Sequence, residues 1–226
     1  MRLSALVTSC LFLLAACESS GKVTPVTVQW MDWPAEVNAG QPFRTRLVVW
    51  GICAINPRFR PGASANQTAV TFAPYFTFED DHILCAAATG NAFVVTALDT
   101  AGIAPGLLAG SPRTYEMRAP MPDFTYHFDV VAARLLVSAY GTVMVRPSGA
   151  DPSRRNAGGY ASLERDLQNC LRVRPLGVYA PNAVIALDDQ AAAGAAAAAA
   201  LVRGYIYDAA TPICGQTRVF HLLSRN

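Results

Sequence analysis

The stretch Phe43-Arg44-Thr45-Arg46-Leu47-Val48-Val49-Trp50 alternates apolar and polar side chains, then becomes wholly apolar. Successive strand side chains point to opposite faces, so a period of two reads as a strand. Upstream, Val26, Val28 and Trp30 alternate with Thr27, Gln29 and Met31. Between the two lies a turn-rich stretch from Trp33 to Pro42. Downstream, Thr68 to Phe78 is rich in Thr, Val, Phe and Tyr, and Ala92 to Leu98 contains Phe93-Val94-Val95-Thr96. Arg113 to Met117, Phe124 to Val131, Arg134 to Ala139 and Thr142 to Val145 continue the pattern. Gly, Pro, Asn and Asp separate these runs. Many short strands with such punctuation predict an all-β chain whose first part, residues 23–147, is an antiparallel sandwich.

The string Pro34…Ala39-Gly40-Gln41-Pro42-Phe43 resembles the start of many bacterial immunoglobulin-like domains. The resemblance covers about ten residues. It implies that the Gly-x-Pro-Phe turn hands the chain from one sheet to the other. The Cys-Trp-Cys hallmark of antibody domains is not evident, so the expectation is a general immunoglobulin-like sandwich.

Pro147 to Gly159 has two Pro, three Gly and no apolar side chain larger than Pro or Ala. It reads as a linker, residues 148–159. Beyond it, 160–167, 170–173, 183–187, 201–207 and 217–223 are five candidate strands. Five strands in residues 160–226 fit a small closed barrel of OB type. Ala191 to Ala200 then falls between the third and fourth strands, as a helix capped by Asp188 or Asp189 or as a low-complexity loop. Even extended to Val202 it is too short to cross a membrane: twelve helical residues span ~18 Å against ~30 Å of hydrocarbon.

The N-terminal segment 1–16 has a positive residue, Arg2, then a short apolar run ending at Leu14-Ala15-Ala16-Cys17. A charged start, a short apolar stretch and small residues describe a secretory signal. Leu14-Ala15-Ala16-Cys17 resembles the lipobox of bacterial lipoproteins. The resemblance implies a diacylglyceryl group on the Cys17 thiol, cleavage before Cys17, and a flexible tether over 17–22. At ~0.8 kcal/mol per buried methylene, two or three acyl chains anchor where one does not. Glu18, rather than Asp, follows the cysteine, which in enteric-type sorting implies delivery to the outer membrane.

Six cysteines are present. Cys10 leaves with the signal and Cys17 takes lipid. Cys53, Cys85, Cys170 and Cys214 remain, an even number in an exported chain, and three pairings exist. Cys53–Cys85 with Cys170–Cys214 keeps each bridge within one half of the chain. No pair has C-x-x-C spacing, and His82, His127 and His221 are scattered, so no metal site is predicted.

Charge narrows the function. Eighteen basic against sixteen acidic residues leave a net charge of +2, which argues against a nucleic-acid binder working through its field. A hydrophobic content of 52% with only 15% charged residues excludes disorder. The mean hydropathy of +0.25 owes part of its value to the signal and the alanine tract. Glu79-Asp80-Asp81-His82 is the densest ionisable cluster and reads as a solvated turn. Arg154, Arg155, Arg165, Arg172 and Arg174, with Glu164 and Asp166 among them, read as a mixed charged surface. Tyr160, Tyr179, Tyr205 and Tyr207 are candidate stacking groups, and Tyr205 and Tyr207 share a strand face. Trp30, Trp33 and Trp50 play the same part in the first half. His127 and Asp129 have no placed nucleophile beside them. There is no Gly-x-Ser-x-Gly, HExxH or phosphate-binding glycine loop, and no cofactor fingerprint. The expected function is a non-enzymatic, membrane-anchored envelope lipoprotein that binds a protein partner or an envelope polymer. The alternatives are a carbohydrate-binding module that uses Tyr205 and Tyr207, and an enzyme of unfamiliar type.

Overall fold

The computed structural model describes residues 23–52, 58–60, 62–66, 68–77, 89–98, 111–121, 136–176, 184–191 and 197–226. These residues are all-β, with no helix among them. The first part holds β1 (Val23–Pro25), β2 (Val28–Pro34), β3 (Glu36–Asn38), β4 (Phe43–Ile52), β5 (Arg58–Arg60), β6 (Ser64–Ala65), β7 (Ala69–Thr71) and β8 (Tyr75–Thr77). Then come β9 (Thr89–Leu98), β10 (Arg113–Met121) and β11 (Leu136–Arg146). The last part holds β12 (Arg155–Arg165), β13 (Leu171–Pro175), β14 (Ile185–Leu187), β15 (Ala197–Ile213) and β16 (Gln216–Arg225).

The last five strands close a barrel. Their order is β12-β13-β14-β16-β15, and β15 returns to β12. Every pair is antiparallel except β14 with β16, which is parallel. This is the small five-stranded barrel that the strand count of the second half predicts. Its boundaries shift in one place. Arg155–Gly159, read above as the end of a linker, are strand: they pair with β2 on one side and with β15 on the other. Further along, Ala161–Arg165 exchange β2 for β13. Strand β12 therefore belongs both to the barrel and to a curled sheet continuing through β2, β4 and β9. Glycine permits the seam. A Cβ on Gly159, whose φ is +138°, would stand 2.0 Å from the Gln29 carbonyl oxygen. The composition that suits a linker thus also suits two backbones in close approach.

The alanine tract is a second difference. Ala197–Ala200 open β15, and Ala200 pairs with Ala161 and is buried. Helix propensity is a weak prior that pairing partners override. Residues 192–196 of the tract lie outside the described residues.

A five-stranded sheet, β3-β11-β10-β7-β6, packs against the curled sheet. Their shared core includes Met31, Trp33, Leu47 and Val49 from one side and Phe72, Tyr115, Met117 and Val143 from the other. Trp33 Nε1 donates to the Thr142 carbonyl at 3.0 Å, and the Tyr140 hydroxyl donates to the Val28 carbonyl. Burial pushes the Tyr140 phenol well above its ordinary value. The turn between β3 and β4 passes the chain from the five-stranded sheet to the curled one. Residues 136–139 and 142–145 of two separately read runs prove to be one strand, β11, with a register shift in its pairing opposite Met117 and Arg118.

The second core fills the barrel: Trp30, Val48, Ala157, Leu163, Leu171, Val173, Val202, Ile206 and Phe220. Strands β2 and β4 lie between the two cores. Phe43, Leu47 and Val49 face the first, and Val48 faces the second. That is why the stretch that began as an alternation ends wholly apolar. Each large side chain so buried contributes about 1.5–3 kcal/mol.

Cys170 and Cys214 are bridged, with Cα atoms 5.9 Å apart across a sequence separation of 44. Cys214 and Gly215 both have positive φ, 53° and 74°, in the two-residue turn joining Ile213 to Gln216. Such a turn matches strand twist, so β15 and β16 form a tight hairpin with the bridge at its tip. Closing a loop of this size stabilises by at most about 4 kcal/mol on chain entropy. Cys17, Cys53 and Cys85 lie outside the described residues.

Candidate functional site

One sheet face runs from the barrel interior onto the curled sheet, and its chemistry changes along the way. On β4 the order is Val48, Arg46, Arg44; on β2 it is Trp30, Asp32; on β12 it is Ala157, Arg155; on β16 it is Phe220, Arg218. Strand side chains two apart share a face, so apolar residues at depth become charged ones at the mouth. Pairing brings these rows together: Asp32 lies opposite Arg46 and Ala157, and Arg155 opposite Ile206.

The mouth is a cleft of about 580 Å³. Its lining includes Asp32, Arg44, Arg46, Arg155, Arg218 and Gln216, with Val184, Ile185 and Ile206 as an apolar wall. Asp32 is the fulcrum, with a side chain only 6% exposed. Its Oδ2 accepts from Arg46 Nε at 2.6 Å, and its Oδ1 accepts from Arg155 Nε at 2.9 Å. Arg155 also donates to the carbonyls of Asp32 and Arg44 at 3.0 and 3.1 Å. These contacts hold Arg46 and Arg155 in place. Arg44 and Arg218 are exposed, and neither has a side-chain partner among the described residues. Asp208 lies opposite Arg218 in register, but no ion pair joins them.

A second feature lies across β15 and β16. Tyr205 and Tyr207 share a face, their rings 5.7 Å apart. The structure adds what the spacing did not reveal. The His221 ring lies 4.8 Å from Tyr205, and the Arg154 guanidinium sits 3.7 Å over the Tyr205 ring. Asp188 Oδ2 accepts from the Tyr207 hydroxyl at 3.0 Å and lies 2.7 Å from His221 Nδ1. Burial first, then the bond to Asp188, raises the Tyr207 pKa above its ordinary value. The row sets half-buried rings beside polar groups, with the Arg154 guanidinium stacked on one face of Tyr205.

Other residues singled out in the sequence fall elsewhere. Trp30 and Trp33 are core side chains, and Tyr160 is packed at the edge of the first core. Arg172 pairs with Asp166 at 2.6 Å, and Arg174 pairs with Glu164 at 2.7 Å. Arg165 donates to the carbonyls of Asn169 and Gln190. These are cross-strand and turn contacts. Glu79 to His82, His127, Asp129 and Tyr179 lie outside the described residues, as does the side chain of Trp50. Among the described residues no group of three or more His, Cys, Asp or Glu is placed to hold a metal ion. No helix among them is long and apolar enough to cross a membrane.

The class defined so far is an all-β protein with a closed five-stranded barrel fused through one strand to a curled sheet. No protein-family model, curated protein or solved structure matches the chain.

Proposed function

We propose that this chain is a non-enzymatic binding protein of the bacterial cell envelope, an accessory subunit of a larger assembly, held at the outer membrane by lipid on Cys17. The lipobox-like Leu14-Ala15-Ala16-Cys17 supports the anchor. The observation that carries the binding role is the row on the barrel wall, where Arg154, Tyr205, His221 and Tyr207 stand in ring contact. A pull-down from crosslinked cells is expected to recover one specific protein partner or envelope polymer. Recovery of none contradicts the proposal.

One observation favours a second reading, a carbohydrate-binding module. Tyr205 and Tyr207 are adjacent aromatic rings with the Asp188–His221 pair alongside, and sugars are held by stacking together with directed hydrogen bonds. Tyr205→Ala with Tyr207→Ala is expected to abolish glycan-array binding while leaving the thermal midpoint nearly unchanged. A wild-type chain that binds no glycan removes this reading.

A further inference from the structure

We infer that the arginine mouth of the barrel binds a phosphate group carrying two negative charges. The site is separate from the aromatic row and rests on its own observations.

The first is charge. Among the described residues, four guanidiniums line the cleft against the single carboxylate of Asp32, a surplus of three positive charges. A monocarboxylate ligand would neutralise one of them. A phosphomonoester carries about two at neutral pH, a diphosphate carries more, and both offer more acceptor oxygens.

The second is preorganisation. Arg46 and Arg155 are fixed by Asp32 and by two carbonyls, so less side-chain entropy is lost when a ligand arrives. Such a site requires a carboxylate that orients the guanidiniums without cancelling them all. Arg44 on β4 and Arg218 on β16 have no side-chain partner among the described residues, which leaves two planar forks suited to tetrahedral oxyanions.

The third is shape. Barrel mouths are common ligand sites, and 580 Å³ accommodates more than a lone ion. Val184, Ile185 and Ile206 form one wall, able to hold the apolar part of a molecule whose phosphate meets the arginines.

The test uses the full chain in neutral detergent, titrated calorimetrically with two probes, pyrophosphate and dihexanoyl phosphatidic acid. Both are expected to bind, more weakly as salt is added. Tenfold or tighter binding of the lipid assigns the phosphate to a lipid headgroup and engages the apolar wall; equal binding assigns it to a soluble phosphate. Arg44→Ala with Arg218→Ala is expected to lower pyrophosphate affinity at least tenfold. Both side chains lie outside the Asp32 network, so the thermal midpoint should hold. Lysine at the same two positions should recover part of the loss, since charge returns without the fork. No binding of either probe by the wild-type chain overturns the proposal, as does unchanged affinity in the double alanine variant.

Discussion

Two groups of arginines in this molecule look alike in sequence and differ in their company. On the outer side of β12 and β13, Arg172 meets Asp166 and Arg174 meets Glu164, one carboxylate for each guanidinium. At the barrel mouth, Asp32 pairs with Arg46 and Arg155, while Arg44 and Arg218 have no carboxylate partner among the described residues. The first group is settled within the fold. The second is held in order but left in electrostatic surplus, and surplus is what a ligand answers. Counting arginines along the chain merges the two groups, whereas counting their partners separates them.

Removing one carboxylate from each group should separate them most strongly. Asp32→Ala strands two partly buried guanidiniums and should cost about 3–5 kcal/mol in urea unfolding. Glu164→Ala removes a pair whose side chains are 33% and 40% exposed, and should cost about 0–1 kcal/mol. Equal costs would mean that the two groups do not differ as described.

A smaller effect is read by pH. The Cys170 backbone N–H and the Arg172 guanidinium hold the Asp166 carboxyl below its ordinary value. Glu36 is lowered by its hydrogen bond with Arg146. A carboxyl with a depressed folded pKa contributes stability above its unfolded value and loses it as pH falls through the folded one. The stability these two carboxyls contribute should therefore be level above roughly pH 5 and fall below it. Asp166→Asn and Glu36→Gln should flatten that acid limb, as read by the urea midpoint against pH.

Much of the fold is legible in the sequence. The alternation from Phe43 to Trp50 announces a strand, and the five runs of the second half announce a barrel. What is not legible is that β12 serves two sheets. Glycine-rich composition reads equally as slack chain and as backbone in close contact, and only pairing with Gln29 and Trp30 decides between them. The alanine tract misleads for a related reason: intrinsic propensity does not know that β12 waits beside it. The mouth is half legible. Arg44 and Arg46, two apart before Val48, declare a charged end to an otherwise apolar strand face. Nothing local connects them to Arg155, which reaches Asp32 across 123 residues of chain. In the aromatic row, the Tyr205 and Tyr207 spacing gives the shared face, while His221, Asp188 and Arg154 arrive through strand register alone.

The most direct measurement is an NMR titration of the arginine Nε–Hε signals of the full chain with pyrophosphate. Saturable shifts are expected at Arg44, Arg46, Arg155 and Arg218, with Arg172 and Arg174 unmoved. Shifts of similar size at Arg172 and Arg174, or a mouth that does not respond, would contradict it.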